Sequence, residues 1–440
     1  MATTPAPPPL ARFRAELYQS VLGMRRDALC ELLDAVLSGE RATSLVRHSL
    51  APVFRRGWAS APDALADGSL DVAALRRLLA QHAPAPSWGQ RDLWVLDGSL
   101  WPRPEAKTCP ERTWGRFVTA GTPESGIVGA WEYQWLVQLP EASGSWGLPL
   151  EVARRDLAAG TATTLAIGQL RAALAARSPT ASRPLLVLDS HYDVVELIEG
   201  GGRVDILARL AANRRFYRQP GPYRGMGAPR KHGPVFRCAE PRTHGLSDRT
   251  QCSLDPDYGL VRIDVWERLH IYRAPLVNLT VLRVGVAHLP RRTTPPAPLW
   301  LVWWGGPLPT DLRVVWHWYQ RRFAVEHLFR FLKSDLGWTT VRPRSPLTAD
   351  RWSWLLAAGL WELWMARSLV VEQRLPWERA LPGYLSPGRV RRGFGGLVLV
   401  LGTPARPPQP RGKSPGRRTG QCPGPAPRCP VQRRGPPRAA

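Results

Sequence analysis

Residues Trp318 to Trp338 read WYQRRFAVEHLFRFLKSDLGW, and the reading of this run decides the rest of the chain. It holds no proline, no glycine before Gly337, and mostly residues that tolerate a helix. Wound at about 100° per residue, the run puts Tyr319, Arg322, Glu326 and Lys333 within roughly 60°, one stripe on one face. Ala324, Val325, Leu328, Phe329, Phe331 and Leu332 fill much of the other side, which buries the helix against a core. A carboxylate thus stands between two cations and a phenol. Glu326 suits a hard divalent metal, Arg322 and Lys333 suit neighbouring phosphates, and Tyr319 can hydrogen-bond one. The competing reading is a solvated face laced by i,i+4 pairs, Arg322 with Glu326 among them.

The spacing Tyr319-x2-Arg322-x3-Glu326-x6-Lys333 resembles the YREK signature of bacterial insertion-sequence transposases of the DDE type. Four residue types at three fixed spacings make the signal specific. The resemblance implies two upstream aspartates, each at the end of a strand. Residues 92–99, DLWVLDGS, read as an apolar strand that ends at Asp97 and then turns. Residues 184–190, PLLVLDS, read as a second strand ending at Asp189, apolar throughout as a central strand covered on both faces would be. Each acid also has an ordinary reading as a turn-forming aspartate. His191, Asp193 and Glu196 lie just beyond, as supporting groups or as helix caps. Gly98 and Ser99 depart from the second polar residue and threonine often seen in related enzymes, which leaves the local hydrogen bonding open.

The 440 residues carry a formal net charge of +25, so a polyanion is the natural partner. Nucleic acid comes before membrane, because no stretch is apolar enough to span a bilayer; the nearest, Leu355 to Val371, carries Glu362 and Arg367. The first residues, MATTPAPPPLARF, lack the basic start and apolar run of a signal peptide. Cysteines 30, 109, 238, 252, 422 and 429 form no short paired spacing. A reducing bacterial cytoplasm, in association with the nucleoid, is expected. His232, Cys238, His244 and Cys252 match no common structural-zinc spacing and are read as incidental.

The expected fold class is α/β, a ribonuclease-H-like core with a helical N-terminal domain and a β-rich insertion before the last catalytic helix. Residues 1–85 read as helices, with Phe13, Leu17 and Val21, then Leu29, Leu33, Val36 and Leu37 at helical spacing. A third helix over Ser69–Gln81 has Ser69 or Asp71 as its cap. Arg25, Arg26, Arg41, Arg47, Arg55 and Arg56 suit a DNA-end-binding domain, or equally the wet face of an ordinary bundle. Residues 83–90 (APAPSWGQ) are a linker. The first part of the core spans 90–215: a meander over 114–138, a helix over 157–177 and a strand over 204–210. The insertion spans 216–311, with Arg224, Arg230, Lys231 and His232 clustered and strand-like runs at 259–266, 276–286 and 299–304, suited to tracking DNA. The second part of the core spans 312–375, with a long helix over 350–372. Residues 376–440 read as a disordered Pro/Gly/Arg-rich tail carrying RGKSPGRR and PVQRRGPPR, a non-specific phosphate contact or an unselected end.

The resemblance makes Asp97, Asp189 and Glu326 the catalytic, metal-ligating acids and Tyr319, Arg322 and Lys333 the DNA-binding groups. Two Mg²⁺ ions roughly 3.5–4 Å apart, or Mn²⁺ in their place, activate water and steady the departing 3′ oxygen. It also implies nicking at the terminal inverted repeats of double-stranded DNA, attack of the freed 3′-OH on target DNA, and a homodimer in the DNA complex. Some members of the class pass through a hairpinned end. Trp131, Trp135, Trp303 and Trp304 can stack on a flipped base, but in apolar runs they read as core. The alternatives are a catalytically silent DNA-end-binding relic or regulator, and a ribonuclease-H-like nuclease without strand transfer.

Overall fold

The structure is a computed structural model that describes residues 8–39, 44–86, 91–118, 125–223, 225, 227–290, 292, 294–380, 384–410, 416, 420 and 424–433. Arg41, Arg224, linker residues 87–90 and most of the RGKSPGRR run lie outside the described residues. The chain begins with α1 (Pro9–Glu16), a π-helical turn (Leu17–Val21), α2 (Arg26–Ser38), α3 (Leu45–His48), α4 (Ser60–Asp67) and α5 (Val72–Gln81). Asp71 caps α5 by accepting the Ala74 N–H at 2.9 Å. The core follows as β1 (Leu93–Pro102), β2 (Thr113–Val118), β3 (Ser125–Leu139), β4 (Leu148–Arg154), α6 (Ala162–Ala175), β5 (Leu185–Leu188), α7 (Val194–Gly200) and β6 (Asp205–Leu210). Next come β7 (Arg215–Tyr217), β8 (Val235–Arg237), β9 (Arg249–Asp255), β10 (Gly259–Ile271), β11 (Ala274–Val286) and β12 (Leu299–Trp304). The chain closes with α8 (Leu312–Arg321), α9 (Ala324–Ser334), α10 (Pro346–Ala366) and α11 (Pro387–Leu401).

The apolar run Leu93–Leu96 is buried on both faces, and strand alternation divides it. Trp94 and Leu96 join the core under α6 and α7; Leu93 and Val95 join the one under α9 and α10. β1 runs parallel to β5 and β5 parallel to β6, while β3 lies antiparallel to β1 and β4 antiparallel to β3. The resulting order β4–β3–β1–β5–β6, helices on both faces, is consistent with a ribonuclease-H-like core. The strands after β6 do not stand apart. β12 pairs antiparallel with β6, and β11 and β10 follow in the same sheet. The edge that β6 would otherwise leave open is thereby covered.

Several expectations are corrected here. β1 does not end at Asp97: β3 keeps pairing with it through Asp97↔Trp135 and Ser99↔Tyr133, whereas β5 stops at Leu188. The continuous helix expected over Trp318–Trp338 is broken into α8 and α9. Across the join the N–H groups of Arg322, Phe323, Val325 and Glu326 bond the carbonyls of Tyr319, Gln320, Arg322 and Phe323, each at 3.1 Å and three residues back. Such a turn advances about 120° per residue instead of 100°, so the residues after it rotate away from those before. Tyr319 and Arg322 end up buried and Glu326 exposed, although Arg322 still meets Glu326 at 3.7 Å. The tail expected to be disordered from residue 376 contains α11. Its Val390, Phe394 and Val398 are buried in the core shared with α2 and α10, and Gly393 lets the backbone pass close to the Val371 carbonyl. Glycines in RRGFGG hide an i, i+4, i+8 apolar stripe from composition.

Among the described residues, the apolar side chains of the N-terminal helices belong to one cluster with those of α9, α10 and α11. Arg14 of α1 fastens them, bonding Asp34 of α2 at 2.7 and 3.0 Å and Glu362 of α10 at 2.6 Å. Trp131, Trp135 and Trp303 are buried, and Trp304 is half-buried. Among the described residues no helix is long and apolar enough to cross a membrane.

Candidate active site

Strand register explains why two acids 92 residues apart in sequence become neighbours: 189 less 97 is 92. Leu96 is level with Leu188, and Leu188 with Ala208. The next residue on each strand is Asp97, Asp189 and Arg209, one row on strands about 4.8 Å apart. Val95, Val187 and Leu207, two residues earlier, belong to the core under α9, so by alternation this row faces α9. Each acid is steadied by the backbone after it. The Gly98 N–H donates to Asp97 Oδ1 at 2.8 Å, and the Ser190 N–H donates to Asp189 Oδ1 at 2.7 Å. The Gly98 N–H supplies one hydrogen bond at the departure at residues 98–99.

The third acid arrives on α9 in the turn after the tight join. Glu326 is linked to the strand row through Arg322, whose Nη1 lies 3.3 Å from Asp97 Oδ2 and Nη2 3.7 Å from Glu326 Oε1. The same guanidinium stands 4.9 Å from the Phe323 ring centroid and 5.9 Å from that of Tyr319. Arg209 plays a similar part at Asp189, Nη1 to Oδ1 at 3.7 Å, and His191 Nδ1 is 4.0 Å from Asp189 Oδ2. Exposure rises from Asp189 and Asp97, at 23% and 27%, to Glu326 at 57%, so the site opens on the α9 side. Lys333 sits farther along α9, its Nζ 6.0 Å from the Trp338 ring centroid. Asp193 caps α7 by accepting the N–H groups of Val195 and Glu196 at 3.0 and 3.2 Å, and also meets Arg273.

The Asp97 carboxyl feels the charge of both other acids. Burial holds the Asp97 carboxyl above the usual aspartate range. The Gly98 N–H and Arg322 pull it back, while Asp189 and Glu326 push it up. Burial likewise raises the Tyr319 phenol, opposed by Arg322 and Arg209 and reinforced by Asp189. The Lys333 ammonium is pushed down by burial.

The donor set of Asp97, Asp189 and Glu326 is all carboxylate oxygen, which fits a hard divalent ion in kind. The side chains are not drawn into a cage: among the described residues, no three His, Cys, Asp or Glu side chains gather closely enough to hold an ion. Arg322 lies against two of the three acids and Arg209 against the other. Sequence reasoning missed Arg209. The one signal was an arginine near the end of the strand VDILARL, level with the aspartate of the strand beside it.

The strand order and the adjoining acids point to the class of ribonuclease-H-like enzymes that cut nucleic acid. Residues 16–255, more than half of the chain, match the family model described as DDE superfamily endonuclease, and the chain belongs to that family. Membership implies a DNA substrate and endonuclease- or transposase-like chemistry, and the family's enzymes typically use divalent metals. The match takes in Asp97 and Asp189 and ends before α8. No curated protein matches the sequence.

Proposed function

We propose that the protein is an insertion-sequence transposase of the YREK-bearing DDE class, acting on the terminal inverted repeats of its element. The observation that carries the reading is the row Asp97–Asp189, reached by Glu326 through the shared Arg322. Asp97, Asp189 and Glu326 would hold two Mg²⁺ ions, or Mn²⁺; bound metal lowers the pKa of water and stabilises a departing oxygen. Tyr319, Arg322 and Lys333 orient the DNA strand by its phosphates, and Arg209, beside Asp189, joins them. Water cuts the strand and leaves a 3′-OH. That oxygen then bonds to a target phosphorus as the target's own P–O3′ bond breaks. The N-terminal helices are read as the DNA-end-binding part, residues 216–311 as a track for flanking DNA, and two copies as the unit on paired ends.

The test is a cleavage and joining assay on the DNA that flanks the gene, with full-length protein and Mg²⁺. Asp97→Ala, Asp189→Ala and Glu326→Ala are each expected to abolish cleavage while duplex binding in a gel shift survives. Normal nicking by any of them removes that residue from the site. Cleavage without joining would favour a plain nuclease. Flanks lacking inverted repeats would exclude the insertion-sequence reading.

A further inference from the structure

We propose that Arg322 is an exchangeable counter-cation: its guanidinium holds Asp97 and Glu326 while no divalent ion is bound, and passes to a DNA phosphate when one is. The inference rests on the functional reading above and adds a regulation to it, a coupling between ion binding and DNA binding.

Arg14 and Arg322 each bridge two carboxylates on different residues under nearly complete burial, and their geometries differ. Arg14 is 4% exposed and bonds Asp34 at 2.7 Å and Glu362 at 2.6 Å, the lengths of charge-assisted hydrogen bonds in a fixed clamp. Arg322 is 5% exposed, yet its contacts to Asp97 and Glu326 are 3.3 and 3.7 Å, long for such bonds. Its Nε, buried, has no hydrogen-bond partner among the described residues, as for several other arginines, but here the orphan lies beside the acids. A buried guanidinium with long contacts and an unused N–H has donor capacity left for another acceptor. The planar fork matches phosphate oxygens, and the family implies DNA as substrate.

Its surroundings permit the exchange. Arg322 lies on the tight i→i+3 turn between α8 and α9, and the rings of Phe323 and Tyr319 flank it at 4.9 and 5.9 Å. The cation can turn from the carboxylates and keep both rings as neighbours. An ion that takes Asp97 and Glu326 releases the guanidinium; a phosphate that takes the guanidinium releases the carboxylates. Each ligand therefore strengthens the other by the same factor.

The test titrates Mn²⁺ onto the full-length chain and follows free Mn²⁺ by electron paramagnetic resonance, without DNA and with a short blunt duplex. In the native protein the duplex is expected to tighten Mn²⁺ binding on the order of ten-fold. Arg322→Gln removes the competitor, so Mn²⁺ alone binds more tightly than to the native chain and the duplex adds little. Losing a fixed cation beside the acids would also tighten Mn²⁺ by charge alone but would leave the duplex effect in place, so the loss of coupling is the deciding readout. Weaker or unchanged Mn²⁺ binding to Arg322→Gln, or intact coupling, overturns the proposal. Asp97→Asn separates the two readings. If it binds Mn²⁺ as the native chain does, the acids are not the ion site and the functional reading falls. If it loses Mn²⁺ while Arg322→Gln behaves as native, only the exchange falls. Should Arg322→Gln fail to fold, Arg322→Lys decides: its shorter reach must also tighten Mn²⁺ binding without DNA.

Discussion

Replacing Arg14 by methionine tests the joint between the N-terminal helices and the rest of the fold. Arg14 spans Asp34 and Glu362 at 2.6–3.0 Å and is 4% exposed. Methionine keeps much of the apolar volume and removes the charge, leaving two buried carboxylates face to face. Breaking a buried pair by removing one partner costs about 3–5 kcal/mol. Burial already pushes the Glu362 carboxyl up to about 7, against the opposing pull of Arg14. A carboxyl raised in the folded state holds its proton more tightly there than in the unfolded chain. Its contribution is therefore fullest below the ordinary glutamate value of 4.5 and is lost as the pH rises through the folded value. Without Arg14 the folded value climbs further, and the loss reaches to higher pH. In urea unfolding of the full-length chain, Arg14→Met should lose about 3–5 kcal/mol near pH 8. The deficit should shrink by more than about 1 kcal/mol near pH 5, where Glu362 takes up its proton. Adding Glu362→Gln should restore most of the loss near pH 8. A deficit under about 1 kcal/mol, or one equal at both pH values, refutes the reasoning.

Two further predictions concern a turn and a cation. Gly305 adopts φ +137, and a Cβ there would meet Asp205 Oδ1 at 2.3 Å. Gly305→Ala should lower stability by about 1–3 kcal/mol and disturb the ion pair of Asp205 with Arg91; an unchanged melting midpoint contradicts this. Lys333→Met should fold normally, since burial disfavours the ammonium and the Trp338 ring it faces is 6.0 Å away. The variant should bind duplex more weakly, with the slope of log affinity against log salt smaller by about one. Equal slopes would take Lys333 off the DNA.

What could be read from the chain was what depends on near neighbours. LWVL and LLVL announce buried strands because each residue is apolar whichever face it meets, and both are followed by the acids of the site. The spacing Tyr319–Arg322–Glu326–Lys333 announces a helix carrying both charge signs. The strand-like runs later in the chain correspond to β10, β11 and β12. What could not be read depends on partners distant in sequence. β1 runs on past Asp97 because β3 still bonds it, a fact absent from DLWVLDGS itself. β12 closes the free edge of β6 rather than founding a domain of its own. α11 is a helix because α2 and α10 leave a groove for Val390, Phe394 and Val398.

The same division runs through the site. Residue types and spacing carried the family resemblance that selected Asp97, Asp189 and Glu326, because the chemistry of a side chain travels with its letter. Register alone set Asp97, Asp189 and Arg209 in one row, and a tightened turn alone sank Arg322 between two acids while leaving Glu326 open to solvent. Pairing between strands distant in sequence and the packing that fixes where a helix tightens are not written in residue types, and they determine which charges meet.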